Sequence, residues 1–364
     1  MPEIDNQSII FSPATLRRFM TSVFEYFSVP YEDAILAADV LAYSDEHGID
    51  SHGIARLKTY VDLLKSKRIN PKPTISVIRE KGSVATVDGD NGLGLVVSPK
   101  CMEISMKKAK EYGSGWVSVC NTNHYGAAGY YPVMALKEDL IGLSMTNTTA
   151  GVVPFNGLEK MLGTNPIAIA FPGLEEPPII IDFASSAVSY GKVEIAKRKG
   201  KTMPAGWCID REGNSISDPA EMIDGGALLP LGGDEDGGGH KGYCLASLVD
   251  ILTAVLSGAN WGPFAVPFAI HAATANKQVG KGIGHFFGAW DIDGFRDKEE
   301  FKKGIDEWIY TMRNTKSQPG KKVLIPGDPE REAYEIRMKD GIPVNIEVVA
   351  SLEEIADYTG IKIG

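Results

Sequence analysis

The chain has 364 residues, 37 Lys and Arg against 47 Asp and Glu, a net charge of −10, and 43% hydrophobic residues. That length suffices for two domains with their own cores, and the composition excludes a disordered, collagenous or coiled-coil protein. An acidic balance opposes binding to a phosphate backbone, so nucleic acid is not an expected partner. No run of about 18 apolar residues escapes proline or charge, so no membrane-spanning helix is expected. The acidic start Met1-Pro2-Glu3-Ile4-Asp5 does not read as a signal peptide.

Four cysteines, Cys101, Cys120, Cys208 and Cys244, lie far apart without CxxC spacing. This argues against a zinc ribbon or a disulfide scaffold, and a reducing, cytoplasmic location is expected. The 40 glycines exceed the roughly 7% usual for globular chains. They imply many tight turns or close backbone approaches.

In chain order, Ser12-Pro13 offers an N-cap followed by proline at the first helical position. Phe19, Val23, Phe24 and Phe27 recur at helical spacing until Val29-Pro30. A second helix is expected from Tyr31 to about Tyr43, with Glu32 and Asp33 at its positive end. Gly48 to Gly53 makes a break, and Ile54 to Lys65 resumes helix. From Ile75 the texture alternates like strands: Ile75–Arg79, Ser83–Val87, Gly115–Cys120, Ile141–Thr146, Ile167–Phe171, Pro178–Asp182 and His285–Asp291. Helices are expected over Ser98–Glu111, Gly242–Leu256, Lys298–Met312 and from about Ser351, the third capped by Asp297 with Glu300 three residues on. Gly258 to Lys277 reads as an irregular excursion and Pro326–Pro329 as a turn. The fold class is therefore mixed α and β, with a helical unit built from residues 1–74 and about 296–364 around a sheet domain of 75–295.

Val84 to Asp88 followed by Gly92-Leu93-Gly94 invites a Rossmann reading. Val97 stands where the third glycine belongs, and the next strand ends Cys120-Asn121-Thr122-Asn123 with no acid for a ribose. A partial GxG of this kind does not support a Rossmann domain.

Residues 45–56 concentrate polar chemistry in Asp-Glu-His-Gly-Ile-Asp-Ser-His-Gly-Ile-Ala-Arg. His52 and Arg56 are i and i+4, and a helix beginning near Ser51 projects both from one face of its first turn. Arginine grips a carboxylate with two parallel hydrogen bonds, and histidine exchanges a proton near neutrality. Ser51 can orient the imidazole or cap the helix. The same residues also fit a helix N-terminus capped by Asp50 or Ser51, with solvated charges. His47 is off the spacing of helical metal pairs, and no metal site is expected.

Four further segments follow strands or precede helices. Asn121 to Tyr130 places His124 among small residues, where it can touch a ligand or be an ordinary corner histidine. Thr164 in Met161–Pro166 can donate to a substrate oxygen, and Asp182 in Asp182–Ser186 can accept from ribose hydroxyls; an ordinary turn fits each as well. Gly237-Gly-Gly-His240-Lys241-Gly242 is a plausible diphosphate site at a helix start, or a flexible loop whose acids Asp234, Glu235 and Asp236 face water.

Together Ser51-His52-Gly53 with Arg56, Asn123–Gly126, Gly163–Pro166, Asp182–Ala184, His240–Gly242, Pro326–Asp328 and Gly341–Pro343 resemble the malate/lactate dehydrogenases of the second, non-Rossmann type. Gly225 to Gly233 resembles the archaeal-type malate dehydrogenases within that family. The resemblance implies NAD or NADP lying on a mixed sheet, and a homodimer whose active site lies between the helical part and the sheet. It implies Ser51 polarising His52, His52 as proton donor, and Arg56 holding the substrate carboxylate. His124, Tyr125, Gly126, Ala127 and Ala128 would line the nicotinamide side, with His124 the rival acid/base. Thr164 would meet the substrate, Asp182, Phe183 and Ala184 the cofactor, and His240, Lys241, Gly327 and Asp328 its phosphates. The chain departs from the family at Lys192, where imine-reducing relatives carry an acid. A cation there favours a second substrate carboxylate, hence malate and oxaloacetate. Lactate, sulfolactate, ureidoglycolate, diketogulonate or cyclic imine substrates are the alternatives. The rim Pro263–Lys277 and the Asp234–Asp236 insert also depart. Outside this class stand a metal-dependent hydrolase on His47, Asp50 and His52, and a dinucleotide binder without turnover.

Overall fold

The computed structural model describes residues 7–198, 200–269 and 277–364. Its strands are β1 Ser8–Phe11, β2 Ser76–Lys81, β3 Val84–Gly92, β4 Ser114–Thr122, β5 Leu140–Thr146, β6 Ile167–Phe171, β7 Ile179–Phe183, β8 Cys208–Ile209, β9 Ala227–Leu228, β10 Ile283–Asp291 and β11 Ile342–Asn345. Its α-helices are α1 Pro13–Tyr26, α2 Tyr31–Glu46, α3 Leu57–Lys65, α4 Gly94–Tyr112, α5 Tyr130–Leu136, α6 Tyr190–Arg198, α7 Pro219–Ile223, α8 Gly239–Asp250, α9 Lys298–Arg313, α10 Asp328–Asp340 and α11 Ile346–Thr359. None of the described helices is long and apolar enough to cross a membrane.

Seven strands form one mixed sheet in the order β2-β3-β4-β10-β5-β6-β7. Only β3 and β4 run parallel within it, joined by α4, and the other neighbours are antiparallel. The Gly92-Leu93-Gly94 signal belongs to this crossover. A Cβ on Gly94 would come within 2.2 Å of the Asn123 carbonyl oxygen and 2.4 Å of the His124 one. The glycine thus lets the start of α4 press against the turn after β4, which explains a GxG outside a Rossmann fingerprint.

The ends of the chain meet where β1 pairs antiparallel with β11. Ser12 caps α1, its hydroxyl accepting from the Thr15 N–H at 3.1 Å. One buried core runs from Phe24 in α1 and Leu41 in α2 through Tyr60 in α3 and Val97 in α4 to Val119 in β4 and Leu352 in α11. Helix α9 packs instead on the β6–β7 edge, where Ile309 and Ile305 meet Ile179, Phe171 and Ile181. Helix α10, read from the sequence as a turn alone, has no buried residue. The helix expected over Gly242–Leu256 starts at Gly239 and passes into a π-helical turn, Ile251–Val255.

Candidate active site

The polar segment after α2 is folded by a residue the motif reading left without a role. Asp45, buried at the end of α2, accepts the Ile54 N–H at 2.7 Å. A Cβ on Gly53 would fall 1.9 Å from its Oδ1. Burial pushes the Asp45 carboxyl up to about 8, against the pull of that N–H. From α10, Arg337 donates to the Asp45 carbonyl at 2.5 Å and pairs with Asp50. The segment is therefore clamped from both sides. The sequence signal was an acid closing a helix just before a glycine break.

This clamp corrects one expectation. The helix does not begin near Ser51: Ile54–Arg56 is a 3-10 turn, and α3 starts at Leu57. His52 and Arg56 are brought together through Ser51 rather than by one regular helical turn. Arg56 Nε donates to the Ser51 carbonyl at 2.6 Å, and Ser51 Oγ lies 2.8 Å from His52 Nδ1. The Nη end of the guanidinium is left for other partners.

His124 stands beside this group, its ring 5.8 Å from that of His52 and inclined by 17°. Its Nδ1 receives the Gly126 N–H at 3.3 Å and lies 2.6 Å from Tyr60 Oη. A ring nitrogen that accepts a backbone N–H carries no proton, so the Tyr60 hydroxyl donates to it and the neutral ring bears its proton on Nε2. Phe268 stacks on His124 at 4.1 Å and packs edge-on against Tyr60 at 5.0 Å. Burial, then Arg56, brings His52 down to about 4. Burial, then His52, Arg56 and His285, holds His124 well below the usual imidazole range. Both rings are neutral at pH 7.

His285 also went unread. It sits fully buried in β10, with Nδ1 2.8 Å from Thr146 Oγ1 and its ring stacked on Tyr125 at 4.7 Å. A lone histidine in an apolar strand was its one signal. Tyr125 is thereby turned into the core, and Ala127 and Ala128 are buried with it. Ser144 fixes this loop by donating to the Ala128 carbonyl at 2.7 Å.

The remaining predicted segments gather around the edge strand β7. Asp182 Oδ2 accepts the Gly129 N–H at 2.8 Å, tying β7 to the His124 loop. Asp182 is exposed as a residue, yet the protein around its carboxyl pushes it up to about 6, with Glu330 acting the same way. Just after Phe183 and Ala184, Ser185 donates its N–H to the Thr164 carbonyl at 2.9 Å, and the Thr164 N–H meets Thr148 Oγ1 at 3.0 Å. Ser185 in turn accepts from Leu231, against whose backbone Gly242 of α8 is pressed. His240 and Lys241 lie exposed at the start of α8. On the far side of β7, Pro326 accepts the Ile180 N–H at 3.0 Å, which places Gly327 at this edge. The Asp328 carboxylate braces that turn: it accepts the Ile325 N–H at 2.8 Å and pairs with Arg331 at 2.6 Å and Arg313 at 3.0 Å.

Lys192 is exposed at the start of α6 and takes part in no ion pair among the described residues. Two residues further along α6, Glu194 brings its carboxylate to 3.7 Å from the Arg56 guanidinium. His47 is spent elsewhere, its Nδ1 at 2.8 Å from the Tyr43 carbonyl and its ring between Tyr43 and Tyr334. Two hollows of about 360 and 340 Å³ lie elsewhere, one beside Asp250 and Trp261 and one beside Arg68 and Lys281.

The donor set suits a flat, amide-bearing ring. Two neutral, partly exposed imidazoles lie side by side, and one presents an N–H. Behind them the buried His285 Nε2 and Tyr125 Oη have no hydrogen-bond partner among the described residues.

The malate/L-lactate dehydrogenase family matches residues 11–353. The malate dehydrogenase of Pyrococcus horikoshii is 44% identical over 361 residues, covering 99% of this chain and 98% of that protein. The L-sulfolactate dehydrogenase of Methanocaldococcus jannaschii is 39% identical, over 98% of each chain. The crystal structure of malate dehydrogenase from Entamoeba histolytica superposes with a TM-score of 0.91 at 35% identity, over 98% of this chain and 99% of that one. The chain belongs to the malate/L-lactate dehydrogenase family, oxidoreductases of CH–OH groups whose chemistry implies a nicotinamide cofactor.

Proposed function

We propose that this chain interconverts malate and oxaloacetate with NAD or NADP, its cofactor held between the terminal helices (1–74 and about 296–364) and the sheet domain (75–295). The observation that carries the reading is the relay Arg56–Ser51–His52 with His124 alongside. A bound nicotinamide supplies or accepts the hydride. The Nη end of Arg56 takes the substrate carboxylate and orients the reacting carbon. His52 gives a proton to the developing alkoxide, or removes one from the hydroxy acid, with Ser51 fixing its ring. The bound carboxylate offsets the Arg56 charge, the smaller cause beside burial of the low His52 pKa, so substrate arrival raises the proton affinity of His52 in part, when the proton is needed. His124, with Nδ1 engaged by two donors, serves as an N–H donor beside the reacting oxygen rather than as the base. Thr164 faces the substrate, and Lys192 draws a second carboxylate. The loop His124–Ala128, Asp182–Ala184, His240-Lys241 and Gly327-Asp328 hold the cofactor.

The proposed assembly is a cytoplasmic homodimer. The exposed Leu248, Ile251, Val255 and Leu256 on α8 and its continuation, with Trp261 in the segment that follows, offer the apolar surface for it. A second substrate, with a sulfonate in place of the distal carboxylate, is favoured by the whole-chain match to the L-sulfolactate dehydrogenase. The test is a matrix of both reduced nucleotides against a panel of 2-oxo acids and cyclic imines, run on wild type and His52→Ala. Oxaloacetate should lead, and His52→Ala should lower turnover by roughly two to four powers of ten while NAD(P)H still binds. Preference for another substrate displaces malate, and loss of turnover in His124→Ala but not in His52→Ala reassigns the acid.

A further inference from the structure

We infer that Glu194 is the resting counter-charge of Arg56 and sets how tightly the site takes a carboxylate substrate. This rests on the reading of Arg56 as the carboxylate anchor.

Helix α6 is docked on the relay by a glycine. A Cβ on Gly191 would lie 2.9 Å from Ser51 Cβ and 3.6 Å from Arg56 Nη2. Three residues on, along the same helix face, Glu194 brings Oε2 to 3.7 Å from that Nη2. Nε of the guanidinium is already committed to the Ser51 carbonyl, so Glu194 stands at the end left for substrate. At 3.7 Å it is a charge neighbour, not a hydrogen-bonded fork. Both side chains keep contact with solvent, 27% for Arg56 and 38% for Glu194, so Glu194 can be displaced. Among the described residues no other carboxylate pairs with Arg56. An incoming carboxylate therefore competes with Glu194 for one guanidinium, and the competition appears in KM rather than in the chemical step.

The test is steady-state kinetics of Glu194→Gln, Arg56→Ala and the double variant, with oxaloacetate at saturating reduced nucleotide. A half-exposed pair of this kind corresponds to about a 1.5- to 5-fold effect. Glu194→Gln should lower KM by that factor with kcat unchanged, and the gap from wild type should close as salt screens the pair. In the Arg56→Ala background the same change should leave KM where it is, because the two effects share one partner. Nucleotide binding, followed by fluorescence, should not move. An unchanged or raised KM in Glu194→Gln overturns the inference. If Arg56→Ala itself leaves KM unaltered, the reading of the anchor fails instead, and the two failures are distinct. Glu194→Ala serves the same purpose should the glutamine variant fold poorly.

Discussion

Raising the pH from 6 to 8 should slow 2-oxo acid reduction about a hundredfold in kcat/KM while leaving oxidation of the hydroxy acid nearly flat. Reduction of a carbonyl consumes one proton, so the ratio of the two second-order constants must change tenfold per pH unit. The pKa of the acid/base group decides which direction carries that change. His52, brought down to about 4 by burial and by Arg56, is neutral over this range. Its basic form is at full strength for oxidation, and its acidic form shrinks tenfold with each unit. Initial rates in both directions, at constant ionic strength and saturating nucleotide, measure this directly. Arg56→Met should move the break upward, though not to the value of a free imidazole, because burial is the larger cause. A flat reduction profile with oxidation climbing tenfold per unit refutes a low-pKa imidazole as the proton carrier.

Three other outcomes follow from the same geometry. Tyr60→Phe removes the hydroxyl 2.6 Å from His124 Nδ1 and should lower kcat about two- to tenfold, with nucleotide affinity unchanged by fluorescence titration. Gly53→Ala drives a methyl into the Asp45 carboxyl; urea unfolding should show a loss of about 1–3 kcal/mol, accompanied by a fall in activity. Asp45, pushed up to about 8 in the folded chain against roughly 4 when unfolded, keeps a proton that the unfolded chain releases. Stability should therefore fall as pH rises from 4 to 8, and Asp45→Asn should flatten that slope in denaturation curves taken at pH 5 and pH 8.

Much of the fold was legible because its signals are local. Ser12-Pro13 and Asp297 announce helix starts, and both side chains cap them. The strands read from Ile75 onward lie in one sheet; short apolar runs marked them, and the central β5 and β10 are buried on both faces rather than alternating. The failed third glycine at Val97 separated this fold from a Rossmann domain before any coordinate. Helix α10 was missed for a physical reason: with no buried residue, it carries no hydrophobic period to detect.

The site divides in the same way. The sequence by itself determined which groups are available to the proposed chemistry, in His52, Arg56, His124 and the small-residue segments near β7. That depends on residue type and short spacing. Tertiary structure alone decided how those groups act. Asp45 moves the helix start to Leu57, and Arg337, 292 positions away in the chain, holds that turn. The hydrogen bonds from Tyr60 and Gly126 choose the tautomer of His124. Docking of α6 presents Glu194 and not Lys192 to Arg56. Each is a contact between distant segments, set by which surfaces can be buried together, and no local pattern encodes it.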